Sequence, residues 1–202
     1  MSTAAEGALP VFRGLTLAQI AWIDSPAAML AALPDLQACS MLGLDTESRP
    51  TFVKGEKSDG PHLLQLASTR QAWLFPLQPG APLWPELADL LQSEAVLKIG
   101  FGLRNDVRHM QRRFGWKLHP VMDLSRELRE NRHQEIGARG AVARWLQQDL
   151  HKPRSITTSN WARLPLSEAQ KLYAANDAYA ALQVYLRWQE QGGVRPLLKR
   201  TP

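Results

Sequence analysis

Apolar positions fall in short runs over the first part of the chain and recur at three and four residues over much of the rest. Residues 19–24 form a short apolar stretch that predicts a strand. Ser25-Pro26 then supplies an N-cap and a proline at the first helical position, opening a helix through Leu33. Residues 41–47, 62–68 and 71–75 predict three strands, the last two separated by a short turn at Thr69-Arg70, which is the pattern of an antiparallel meander. A helix over 84–92, a strand over 95–99, a helix over 103–114 and a short strand before Asp123 alternate as a parallel α/β unit does. Helices over 124–130 and 138–150 follow, then a polar segment over 152–163. A long helix starts at the capping box Ser167-x-x-Gln170. Leu172, Ala175, Tyr179, Leu182 and Leu186 give that helix a core-facing stripe. The expected fold is α/β, a mixed sheet with an antiparallel meander followed by parallel strands, flanked by helices.

Composition narrows the class. With 202 residues, 45% apolar and 21% charged, no repeat and no low-complexity tract, the chain reads as one globular unit and not as a solenoid, a coiled coil or a disordered segment. No apolar run approaches the roughly 20 residues that span a bilayer, and Met1 to Pro10 lacks a basic start and an apolar centre. No membrane association and a cytoplasmic location are expected. Cys39 is the only cysteine, which excludes an intrachain disulfide and a cysteine-built zinc site and fits a reducing compartment. The net charge of +5 is uneven: residues 1–97 carry five Lys/Arg against ten Asp/Glu, and residues 98–163 carry 14 against six. Eleven arginines lie between residues 104 and 163. They form either a phosphate-attracting surface or a solvated helical face.

Candidate chemistry lies in the carboxylates. In the strand over 41–47, Gly43, Asp45 and Glu47 share the side opposite Leu42 and Leu44. Two acids crowded at a strand end either solvate its exit or hold a hard cation such as magnesium or manganese. Asp106 lies just inside the helix over 103–114, where alone it would favour the helix N-terminus. Tyr173 and Asp177, spaced i, i+4, share one face of the last helix. Four carboxylates can hold two divalent ions about 3.5 to 4 Å apart, the arrangement for in-line phosphodiester displacement, and a neighbouring phenol can orient the attacking water.

These residues resemble the tyrosine-containing DEDD 3′–5′ exonucleases of the ribonuclease H-like fold. Asp45-Thr46-Glu47 looks like the first motif, Gly100-Phe101-Gly102-Leu103-Arg104-Asn105-Asp106 like the second, and Tyr173-Ala174-Ala175-Asn176-Asp177 like the third. The resemblance is closest to Werner-type exonuclease domains, through Lys98 to Gly102, Ser159-Asn160-Trp161 and Lys171 to Ala175. It implies catalysis by Asp45, Glu47, Asp106, Tyr173 and Asp177, with two Mg2+ or Mn2+ ions on the four acids. The implied domain covers residues 17–190, with residues 1–16 and 191–202 as terminal extensions.

The implied substrate is the 3′ end of single-stranded or frayed nucleic acid, DNA before RNA, and any helicase or repair partner is expected to be a separate protein. Phe52 and Trp161 are candidates to stack on bases, Arg104 and Arg154 to contact phosphates, and Thr46 to lie near the terminal sugar. The chain departs from animal Werner-type domains in having Ser48, not an aromatic residue, directly after the first motif.

Three other readings compete. Gly100-Phe101-Gly102 with Asp123 downstream imitates a dinucleotide-binding fingerprint, but Asn105 occupies the third glycine position, and Asp123 suits a helix N-cap. A catalytically silent nucleic-acid scaffold would be expected to lack one of the acids. A small ribonuclease D-like enzyme trimming RNA is the remaining alternative. The five histidines show no ligand-like spacing and are read as surface or structural.

Overall fold

Among the described residues six strands form one mixed sheet in the order β1-β4-β3-β2-β5-β6: β1 (Ile20–Trp22), β2 (Met41–Glu47), β3 (Leu63–Ala67), β4 (Ala72–Pro76), β5 (Leu97–Gly100) and β6 (Val121–Asp123). The computed structural model describes residues 8–51, 56, 58–82, 84–129 and 134–193. Phe52, Glu130, Arg132, His133 and the tail from residue 194 lie outside the described residues. β2, β3 and β4 make the antiparallel meander, whereas β2-β5-β6 and β1-β4 pair in parallel.

Alternation in β2 separates two layers. Leu42 and Leu44, with Leu64, Leu66, Trp73 and Phe75, pack beneath the helices α1 (Pro26–Gln37), α2 (Pro85–Gln92) and α3 (Arg104–Phe114). Short helices α4 (Leu124–Glu127), α5 (Ala138–Ala141) and α6 (Arg154–Thr157) lead to α7 (Glu168–Glu190), which crosses the opposite face. Its start is fixed as the sequence predicts: Ser167 Oγ accepts from Gln170 N at 3.2 Å, and Gln170 Oε1 accepts from Ser167 N at 3.0 Å. The approach of α7 to β2 depends on Gly43. A Cβ there would lie 2.0 Å from the Ala178 carbonyl oxygen, so any side chain would push the helix off the strand.

Several expectations change. The helix opened by Pro26 continues through Pro34 to Gln37; Leu30, four residues before the proline, is exposed, so water can hydrate the carbonyl that Pro34 leaves unpaired. The helix expected over 138–150 is α5 followed by a π-helical turn (Val142–Leu146) and ends at Gln147, whose left-handed backbone (φ 54°) turns the chain. Gln147 Nε2 donates to the carbonyls of Ala143 and Arg144, and Leu150 is thereby directed into the core. In α7 the buried set is Ala174, Ala175, Ala178, Ala180, Ala181, Leu182, Val184 and Tyr185 together with the acid Asp177, while Leu172, Tyr179 and Leu186 are only half-buried. The sheet covers one side of this helix and the segment 138–150 another, so a single stripe does not describe its burial.

The described chain before residue 17 is bound to the rest. Phe12 N donates to Asp149 O at 3.0 Å, Leu15 N donates to Asn176 Oδ1 at 2.7 Å, and Leu15 is buried. Asp123 Oδ1 accepts from Ser125 N and Gly102 N, an N-cap that also ties down the glycine turn, and this use of the carboxylate leaves no dinucleotide fingerprint. Among the described residues no helix is long and apolar enough to cross a membrane.

Candidate active site

The site lies between β2 and α7, where Gly43 lets the helix come close. Asp45 and Glu47 project from the α7 side of β2, and Asp177 faces them from α7. Ligand oxygens of these three carboxylates lie within 4.8 Å of one another. Asp106 stands in the first turn of α3, and Thr46 Oγ1 donates to its Oδ1. That bond crosses from β2 to α3 and directs the one donor of the Thr46 hydroxyl to the fourth acid.

Tyr173 sits one turn before Asp177. Its hydroxyl is 3.0 Å from Thr157 Oγ1 of α6, and its ring packs against Trp161 with centroids 5.9 Å apart. Trp161 is 0% exposed and cannot stack on a base; it props Tyr173 from behind. The phenol is pushed up to about 12 by burial and by Asp177, so it stays protonated at neutral pH and acts as a hydrogen-bonding group.

Sequence reasoning missed Lys152. Its Nζ lies 2.8 Å from Asp177 Oδ2 and 5.5 Å from the centre of the Tyr173 ring. It also missed Thr157. Gln65 is fully buried directly across the ladder from Asp45. Lys152 and Thr157 carry no periodic or motif signal, since both reach the site through the way the polar segment packs against α7.

The acids resist ionising together. Burial, then the charges of Asp177 and Asp106, push the Asp45 carboxyl well above the usual carboxylate range. Burial, Asp45 and Asp177 raise Glu47 to about 9. Burial raises Asp106 and Asp177, the latter against the opposing pull of Lys152. Burial alone would lower the Lys152 ammonium, but Asp177 and Asp45 outweigh it and hold it charged. Clustered hard oxygen donors that repel each other suit Mg2+ or Mn2+, and this donor set fits such an ion. A cleft of about 270 Å3 lined by Phe12, Ile156, Leu172, Tyr173 and Asp177 among others opens beside the cluster.

The basic middle of the chain divides by geometry. Arg104, Arg108 and Arg112 are exposed at four-residue steps along α3, about 6 Å apart on the helix axis, with no ion pair among the described residues. Arg154 is exposed at the start of α6. Arg113 is different: it donates to the carbonyls of Pro61 and Leu77, which makes it a structural clamp and not the phosphate contact that its charge suggests.

The sequence model of a 3′–5′ exonuclease family matches residues 20–192. The chain is 32% identical over 147 residues to the bifunctional 3′–5′ exonuclease/ATP-dependent helicase WRN of Mus musculus, a match covering 72% of this chain and 10% of that protein. It is 29% identical over 179 residues to ribonuclease D of Pseudomonas paraeruginosa, covering 85% of this chain and 44% of the relative. The chain thus spans less than half the length of either relative. The crystal structure of the Aedes aegypti Nibbler EXO domain superposes with a TM-score of 0.73 at 25% identity, covering 90% of this chain and 91% of that one.

Proposed function

The chain belongs to the 3′–5′ exonuclease family, with its ribonuclease H-like fold and hydrolytic activity, and from that premise we propose that it removes nucleotides from the 3′ end of single-stranded or frayed nucleic acid by a two-metal-ion reaction. The convergence of Asp45, Glu47 and Asp177 beside a held phenol supports this reading. Asp45, Glu47, Asp106 and Asp177 are the residues that would hold a pair of Mg2+ or Mn2+ ions. Bound there, such ions supply Lewis acidity to the attacking water and to the departing 3′ oxygen. Tyr173, protonated and fixed by Thr157, orients the water by hydrogen bonding. Arg104, Arg108, Arg112 and Arg154 attract the strand's phosphates without reading bases.

DNA is the expected substrate, with RNA tolerated. Telling the sugars apart requires a contact to the 2′ position, and the one O–H donor of Thr46, which lies between the two β2 acids, is directed to Asp106. Separately 5′- and 3′-labelled DNA and RNA strands, incubated with Mg2+, Mn2+ or chelator, test the reading. Laddering from the 3′ end with either metal and none with chelator is expected. Asp45→Asn should lower turnover by orders of magnitude with the fold intact, whereas Tyr173→Phe should slow it on the order of 10²-fold without abolishing it. Full activity of Asp45→Asn, or cleavage that persists in chelator, rules the proposal out.

A further inference from the structure

Lys152 places a cation within the acid cluster before any metal is considered. Its ammonium touches Asp177 Oδ2 at 2.8 Å, and its charge also acts on Asp45 and Glu47. The Lys152 side chain is 29% exposed and that of Asp177 only 4%, so the ammonium can withdraw toward solvent and the carboxylate cannot.

The placement is built into the fold. Residues 147–153 are anchored on both sides of Lys152: Asp149 N donates to Pro10 O at 2.8 Å, Leu150 is buried, and Pro153 caps α6. Arg154, two residues on, stays in solvent, so the segment directs one particular basic side chain inward.

On the reading that these acids hold metal, we propose that Lys152 is a tethered competitor of the divalent ion and a positioning residue for Asp177. The Asp177 oxygen that faces Lys152 is committed to the ammonium, and an ion that uses this oxygen must displace it. Lys152 therefore sets the metal concentration at which the site loads. Formal charge gives it a second use. Four ionised acids and one scissile phosphodiester carry five negative charges, two divalent ions supply four positive ones, and Lys152 supplies the fifth. A cation that can move a short way from Asp177 toward the phosphate serves both states.

The test is Mn2+ binding to the full chain without substrate, by calorimetry and by the paramagnetic resonance of the free ion, on wild type, Lys152→Met, Lys152→Arg and Asp177→Asn. Removing the ammonium that occupies Asp177 Oδ2 and repels an incoming cation should tighten Mn2+ binding in Lys152→Met on the order of tenfold. Lys152→Arg, which keeps the charge, should stay near wild type. A lysine with only a structural role would leave the affinity unchanged or weaken it, and either result in folded Lys152→Met overturns the proposal. Should Lys152→Met fail to fold, Lys152→Gln, which also removes the charge but keeps a polar end, carries the same expectation of tighter Mn2+ binding, and unchanged or weaker binding in that variant overturns the proposal. Wild-type Mn2+ affinity in Asp177→Asn would instead refute the metal reading itself.

Discussion

A carboxyl group that holds its proton in the folded state makes stability depend on pH in a definite direction. Glu47 titrates near 9 in the folded chain and near the ordinary glutamate value of 4.5 when unfolded, and Asp45 and Asp177 are raised too. Between those pH values the folded state binds more protons than the unfolded one. The stabilising contribution is therefore complete below about pH 4 and is lost as pH rises through 9, at up to about 1.4 kcal/mol per pH unit for each retained proton. In chelator, the melting temperature should fall from pH 5 to pH 9, and Mg2+ or Mn2+ should raise it most at the alkaline end, where no proton must be displaced. A melting temperature that climbs with pH in chelator would contradict the arrangement of these acids. Such environments were only partly legible in the sequence. The i, i+4 spacing of Tyr173 and Asp177 and the alternation of Asp45 and Glu47 follow from local geometry alone. Lys152, Thr157 and the burial of Trp161 do not, because each depends on how the polar segment folds back over α7.

At the scale of elements, the site exists because α7 can lie directly on β2. The small residues Ala174, Ala175, Ala178 and Ala181 line its contact layer, and Gly43 removes the one side chain that would hold it away. Gly43→Ala should cost about 1–3 kcal/mol through overpacking. It should also weaken Mn2+ binding, because lifting α7 separates Asp177 from Asp45 and Glu47. Leu42→Ala, on the opposite face of the same strand, should cost about 2–5 kcal/mol through the cavity it leaves while changing metal affinity little. Parallel melts and Mn2+ titrations of the two variants separate these effects; equal loss of metal affinity in both would remove the special role of the glycine. Strand β2 and the start of α7 were legible because alternation and a capping box are local signals. The π-helical turn after α5 was not. Its end is set by Gln147, whose left-handed backbone is stabilised by side-chain bonds to two carbonyls that no periodicity predicts.

On the proposed function, the charge distribution of the whole molecule has to bring a polyanion to a cluster of acids that would otherwise repel it. Residues 98–163 carry 14 basic against six acidic side chains, and α3 presents Arg104, Arg108 and Arg112 outward from the helix that also carries Asp106. If these arginines meet the substrate, a strand would be drawn along this helix to the site by attraction that is independent of sequence. The basic total was legible from composition, but not which arginines are free: Arg113 and Arg112 are neighbours in sequence, yet one clamps two carbonyls and the other faces solvent. Salt dependence distinguishes them. If each of the three exposed arginines neutralises one phosphate of a single strand, replacing all three with alanine should reduce the slope of log affinity against log salt by about 2. Binding should be measured with Ca2+ or with Asp45→Asn, so that the strand survives the titration. Arg113→Ala should leave the slope alone and lower the melting temperature, because it strips buried carbonyls of their donor. An unchanged slope in the triple variant would place the strand on another face of the molecule. A reduced slope in Arg113→Ala would mean that its guanidinium leaves the clamp to meet the substrate.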